Sequence, residues 1–110
     1  MKHRRVRWSR LAKGYLADLI AYIEEASGSI GVALNYADRL EARCLRIGEA
    51  PLSGRNRDDL APGLRSVPFE RSAIVFYVVE ADQVLIASVF RRGRDYEAVL
   101  RGEPPTEGED

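Results

Sequence analysis

Between Arg71 and Arg94 the chain carries two seven-residue apolar runs, Ala73 to Val79 and Val84 to Phe90, separated by Glu80, Ala81, Asp82 and Gln83. Short runs rich in Val, Ile, Phe and Tyr with a polar break between them predict an antiparallel hairpin. Neither run alternates cleanly between apolar and polar residues, so both faces of the hairpin must be at least partly covered, as in the middle of a small sheet. Inside the runs only Tyr77 and Ser88 carry polar side-chain atoms. Chemistry is therefore expected where the second strand ends, at Arg91, Arg92, Gly93, Arg94, Asp95 and Tyr96.

The segments before the hairpin supply what covers it. Val6 to Trp8, set among arginines, predicts a first strand at a sheet edge. Ser9 is placed to cap a helix whose apolar positions Leu11, Tyr15, Leu16, Leu19, Ile20 and Ile23 recur at three- and four-residue steps. Ala26, Ser27, Gly28, Ser29 and Gly31 end that helix and reverse the chain. A second helix is predicted from Ile30 or Val32 to Gly48, with Ala33, Ala37, Leu40, Cys44 and Ile47 as its apolar stripe. Two such helices joined by a few residues form an antiparallel pair that buries both stripes against the sheet. Tyr15, Tyr22 and Tyr36 fall at helical spacing and read as core residues with a hydroxyl at the edge.

Glu49 to Gly63 lacks apolar periodicity and holds two prolines and two glycines, which makes it a loop long enough to be functional or mobile. Leu64 to Phe69 predicts a short strand, and Pro68 assigns it to an edge or a bulge. Asp95 to Arg101 has the length of one or two helical turns, stopped by Gly102, Pro104 and Pro105. The expected fold is α+β: an N-terminal strand, a two-helix antiparallel hairpin packed on a small twisted antiparallel sheet, and a short C-terminal helix. It fills one domain over residues 1–101, with 102–110 as an acidic, disordered tail.

Composition removes several functions. The chain of 110 residues has one cysteine, so no intrachain disulfide can form, and Cys44 reads as a small core residue in a reducing compartment. No stretch approaches the ~18 apolar residues of a membrane span and no apolar segment follows the basic N-terminus, which predicts a cytoplasmic protein without membrane contact. One histidine at position 3, one cysteine and no HxxxH or CxxC spacing argue against a metal or other cofactor. Ser–His–Asp hydrolysis lacks a GxSxG elbow, and no glycine spacing matches a phosphate-binding loop. The adjacent Asp58 and Asp59 read as solvated charges or local caps.

The zero formal charge conceals an uneven distribution. Glu103, Glu107, Glu109 and Asp110 close the chain, and without those four, 17 basic residues face 13 acidic ones. Six lysines and arginines fall within Met1 to Gly14 and three arginines within Arg91 to Arg94, so a basic surface is expected where these ends meet. Metal-free RNA cleavage by Arg65, Arg91, Arg94 and Tyr96 is conceivable chemistry. Against it, the only lysines are Lys2 and Lys13, and an arginine side chain is too weak an acid to donate a proton readily.

Gly54-Arg55 and the run Asp59-Leu60-Ala61-Pro62-Gly63-Leu64-Arg65-Ser66, leading into Ile74-Val75-Phe76-Tyr77 and closing on Arg94-Asp95, resemble the ParE toxins of bacterial toxin–antitoxin pairs. The likeness covers roughly Arg5 to Leu100; PGLRS, IVFY and the closing RD are its more specific parts, whereas the helices are generic to the ParE and RelE superfamily. It implies a non-catalytic toxin that poisons DNA gyrase and so halts replication, with a ParD-like antitoxin as partner. It also implies a hetero-oligomer, two toxins with two antitoxins, that reaches DNA only through the antitoxin. Family members often carry a pattern like RVLHGARD at the last strand. Here Ser88, Phe90, Arg91, Arg92 and Gly93 precede Arg94-Asp95, and the histidine is missing. The alternatives are a ribosome-dependent mRNA interferase of RelE type, for which Tyr96 is suited but the missing sheet lysines are not, and a non-catalytic relative with another target. Arg57, Arg65, Arg91, Arg92, Arg94, Asp95 and Tyr96 are the candidates for contact with target or antitoxin, Asp95 serving equally well as a helix cap. A groove along the first helix and the open edge at Val6 to Trp8 would receive the antitoxin.

Overall fold

The computed structural model describes residues 4–93 and residue 100. In chain order the elements are β1 (Arg5–Trp8), α1 (Arg10–Ser27), α2 (Ile30–Ile47), β2 (Arg55–Asn56), β3 (Leu64–Phe69), β4 (Ala73–Val79) and β5 (Gln83–Arg91). The strands form one sheet in the order β1-β5-β4-β3-β2, so the apolar hairpin β4–β5 is central and β1 is an edge, as its composition predicts. The segment expected to form a C-terminal helix and the acidic tail lie outside the described residues except for Leu100, which is helical.

The sheet is mixed, a departure from the antiparallel sheet expected. β1 runs parallel to β5, from Arg5 opposite Gln83 to Trp8 opposite Ile86. Apolar periodicity records which residues are buried and carries no direction, and the partner of β1 lies at the far end of the sequence. The helical hairpin makes the parallel pairing workable, because α1 leaves from the Trp8 end and α2 returns the chain to the Arg4 end. There the Arg4 N–H donates to the Gly48 carbonyl at 3.0 Å.

Local chemistry sets the helix bounds. The Ser9 hydroxyl oxygen accepts from the Ala12 N–H at 3.0 Å, a cap worth about 1 kcal/mol, and donates to the Ala87 carbonyl at 3.1 Å. One side chain thus caps α1 and fastens its start to β5. Gly28, at φ 74°, ends α1 in the left-handed conformation that glycine adopts without penalty, and Ser29 caps α2 through the Val32 N–H. All five residues of the α2 stripe are buried.

Alternation along β4 sends Ala73, Val75 and Tyr77 to the helices and Ile74, Phe76 and Val78 to the opposite face. In β5 the register slips by one: Phe76 pairs with Ser88 but Tyr77 with Ile86, leaving Ala87 as an inserted residue. This bulge resets the alternation, so that Ile86 and Val89 both join the helix-side core while Phe90 joins a second cluster, where Tyr15 of α1 meets it beside the uncovered end of β5. Leu60, Leu64, Phe76 and Phe90 form that cluster, with Leu100 packed against it.

Pro68 is explained by the shortness of β2, which pairs only Arg65 and Ser66 of β3. Beyond those two residues β3 is itself the edge, where a missing N–H costs no ladder bond. The loop from Glu49 to Gly63 is more ordered than its composition suggests, with Pro51, Gly54, Arg57 and Leu60 buried. Its fastening is the Tyr77 hydroxyl, which donates to the Pro51 carbonyl at 2.8 Å and accepts from the Gly54 N–H at 2.9 Å.

Candidate functional site

The bulge at Ala87 decides where the arginines that end β5 point. Arg91 pairs with Ala73 and therefore faces the helices. Its guanidinium carbon lies 4.4 Å from the ring centroid of Tyr22 on α1, a cation–π contact worth about 1 kcal/mol at such a site. Tyr22 is 49% exposed, so of the three helix tyrosines it departs from the core role expected. Tyr36 is buried and bonded to the Ser72 hydroxyl at 2.6 Å, and Tyr15 is half-buried against Phe90 at 4.6 Å between centroids. Between α1 and the end of β5 runs a small groove, with Tyr15, Asp18, Leu19 and Tyr22 on the helix side and Val89, Phe90 and Arg91 on the strand side. It offers an apolar floor, one carboxylate and one partly buried cation.

Arg92 joins this end of β5 to the β3–β4 turn, its N–H donating to the Ser72 carbonyl at 2.8 Å and its guanidinium to the Arg71 carbonyl at 3.3 Å. Glu70 and Arg71 at the turn centre have φ of 50° and 58°, and the Ser72 N–H closes the turn on the Phe69 carbonyl at 2.9 Å. Two consecutive positive φ values match the right-handed strand twist, at a cost of about 1 kcal/mol per residue that is not glycine. Contacts to α2 hold the turn. Arg39 grips the Glu70 carboxylate with two nitrogens at 2.8 and 2.9 Å, keeping that carboxyl below the ordinary glutamate range. The Tyr36 hydroxyl holds Ser72, and burial pushes this phenol above its ordinary value.

Arg57 and Arg65 occupy another region. Arg57 is 7% exposed and forms a two-nitrogen pair with Asp59 at 3.0 and 2.9 Å, giving one of the two adjacent aspartates a structural task. Asp58 accepts from the Gly63 N–H at 2.8 Å and so helps close the same loop. Arg65 donates to the carbonyls of Gly54 at 2.8 Å and Leu52 at 3.3 Å. Arg65 pairs with Tyr77, whereas Arg91 stands level with Ala73 and Phe69, so the two lie about 13 Å apart along the strands and two strands apart across them. They do not form one cluster. Arg94, Asp95 and Tyr96 lie outside the described residues.

The single basic surface expected at the meeting of the two ends resolves into two. Arg5 stands opposite Gln83, about 25 Å along β5 from Arg91. The parallel direction of β1 is the cause, since it carries the N-terminal arginines to the start of β5. Among the described residues no three histidine, cysteine or carboxylate side chains gather to hold a metal ion, and no helix is long and apolar enough to cross a membrane. Sequence reasoning missed Tyr22 as a surface aromatic and Arg39 as the anchor of the turn. The Arg39 pairing left no signal, since its partner lies in a different element.

A helical hairpin laid on one face of a five-stranded sheet, with arginines at the exit of the last central strand, defines a small α+β protein. A solved chain from the chromosomal ParDE toxin–antitoxin system of P. aeruginosa has this fold, with a TM-score of 0.70 and 19% identity over 81% of this chain and 96% of that one. The family model described as the ParE toxin of the type II toxin–antitoxin system parDE matches residues 6–96, and the chain belongs to that family. No curated protein matches the sequence significantly.

Proposed function

We propose that this chain arrests growth by binding DNA gyrase without itself catalysing a reaction, and that a ParD-like antitoxin neutralises it in a heteromeric complex. The observation that carries the reading is the Arg91 guanidinium seated on Tyr22 at the mouth of an apolar groove. Such a surface recognises a partner through shape and charge. Membership of the ParE family points the same way. Arg91 and Arg92 are assigned to the contact surface, with Arg94, Asp95 and Tyr96, which follow them in the chain. Arg57 and Arg65 would contribute through the loop they stabilise. The antitoxin covers the α1–β5 groove, and DNA is reached only through it.

Pulse labelling after induction in bacteria tests the target. DNA synthesis should stop first, accompanied by a DNA-damage response, while protein synthesis continues. An immediate halt in translation with cut transcripts would replace this reading with ribosome-dependent mRNA cleavage, and unchanged labelling of both would leave only a binding role.

A further inference from the structure

Past Arg4, which Gly48 covers, the outer margin of β1 is chemically open. The Ser9 N–H bonds to the Ile86 carbonyl at 3.0 Å, so the odd-numbered residues of this strand turn their backbone polar groups toward β5 and the even-numbered ones turn theirs away. The outward N–H of Arg4 is taken by Gly48. Among the described residues, nothing bonds to the outward N–H and C=O groups of Val6 and Trp8. Edge strands left in this state are templates for another strand unless something blunts them.

What stands beside this edge selects the occupant. Val6 and Trp8 are half-buried against the helix-side core, so Arg5 and Arg7 project from the opposite face, exposed and without an ion-pair partner among the described residues. On the helix side, Leu11 in the first turn of α1 and Leu45 in the last turn of α2 are 61% and 62% exposed at the same end of the hairpin. A second copy of this chain would bring arginine against arginine across the new pair, and like charges directly opposed disfavour pairing. An extended segment with carboxylates on alternate residues and apolar side chains between them matches both faces.

We propose that the free edge of β1 receives an extended acidic segment of the antitoxin as a sixth strand, its carboxylates over Arg5 and Arg7 and its apolar residues toward Leu11 and Leu45. This rests on the antitoxin reading above and adds a contact at the opposite end of β5 from Arg91. Main-chain bonds to Val6 and Trp8 supply affinity, and the two arginines supply selectivity.

The test is amide hydrogen exchange on the full chain, alone and saturated with a co-expressed ParD-like antitoxin, combined with the double substitution Arg5→Glu and Arg7→Glu. Exchange at Val6 and Trp8 should slow at least about tenfold in the complex. The double variant, altered only at exposed positions, should keep its melting temperature, bind about tenfold or more weakly at low salt, and lose most of the salt dependence of binding. A complex that forms while these amides exchange at their free rates, or one indifferent to the charge reversal, would overturn the strand-addition proposal alone. Failure of the wild-type chain to form any complex would overturn the antitoxin reading with it. Protection of the same amides in the free chain at rising concentration would assign the edge to a second copy and likewise refute the proposal.

Discussion

The phenol of Tyr77 and the backbone of Gly54 approach so closely that no side chain fits between them: a Cβ on Gly54 would collide with the Tyr77 hydroxyl. Tyr77 is fully buried, and its hydroxyl satisfies the Gly54 N–H and the Pro51 carbonyl together. A residue in the middle of the most apolar strand therefore fixes the course of the loop that leads into β2.

Replacing Tyr77 with Phe should destabilise the fold by about 2 kcal/mol, because two buried backbone groups lose their partner while the ring still packs. Gly54→Ala should cost at least as much through the steric collision. Urea unfolding of both variants checks this, with the loss seen in the midpoint at unchanged slope.

Tyr22→Ala should weaken antitoxin binding several-fold and lower stability by no more than about 1 kcal/mol, since the ring is half exposed and its principal partner is the Arg91 guanidinium. Tyr22→Phe should restore most of the affinity, because the ring face and not the hydroxyl meets the cation. Titration calorimetry of the three proteins against the antitoxin separates the contributions.

Arg71→Gly should stabilise the chain by about 1 kcal/mol, as a left-handed residue loses its Cβ penalty. Thermal melting measures it. If Arg71 also touches the target, the same variant will be the more stable protein and the weaker toxin.

Glu70 has its folded pKa held below the ordinary glutamate value, mainly by its bonds to Arg39. A lowered carboxyl pKa contributes stability that is present above the unfolded value near 4.5 and is lost as pH falls through the folded one. Glu70→Gln should flatten the stability profile in that acidic window and leave it unchanged near neutrality apart from the lost pair. The contribution is small because both groups face solvent. Acid titration of the two proteins by circular dichroism gives the comparison.

Cys44 is fully buried, and burial pushes its thiol up to about 12. Because the folded thiol resists ionisation, stability should fall as pH rises above the ordinary thiol value near 9. Below that range an aromatic disulfide reagent should modify Cys44 at the rate of unfolding, whatever the reagent concentration.

Much of the architecture was legible from side-chain periodicity. The stripe from Ala33 to Ile47 proved to be the buried face of α2, Ser9 the cap of α1, and the runs flanking Glu80 to Gln83 the centre of the sheet. Pattern was silent where the outcome depended on partners distant in sequence. Nothing in Val6 to Trp8 specifies a parallel neighbour, and nothing in Glu49 to Gly63 reveals that a buried tyrosine holds it. The arginines were legible as a surface by their number but not by their place. A single inserted residue, Ala87, decides that Arg91 meets Tyr22, and an insertion cannot be seen in a strand whose two faces are both apolar.

The parallel pairing of β1 with β5 has a bearing on how the chain is made. The first strand to leave the ribosome has to wait for the last of the five before it can pair, and β5 ends at Arg91 of a chain of 110. Contacts that span nearly the whole chain form late and slowly. A nascent chain of this design cannot close its sheet until almost all of it has been synthesised, so the edge of β5 that β1 will cover stays open throughout translation.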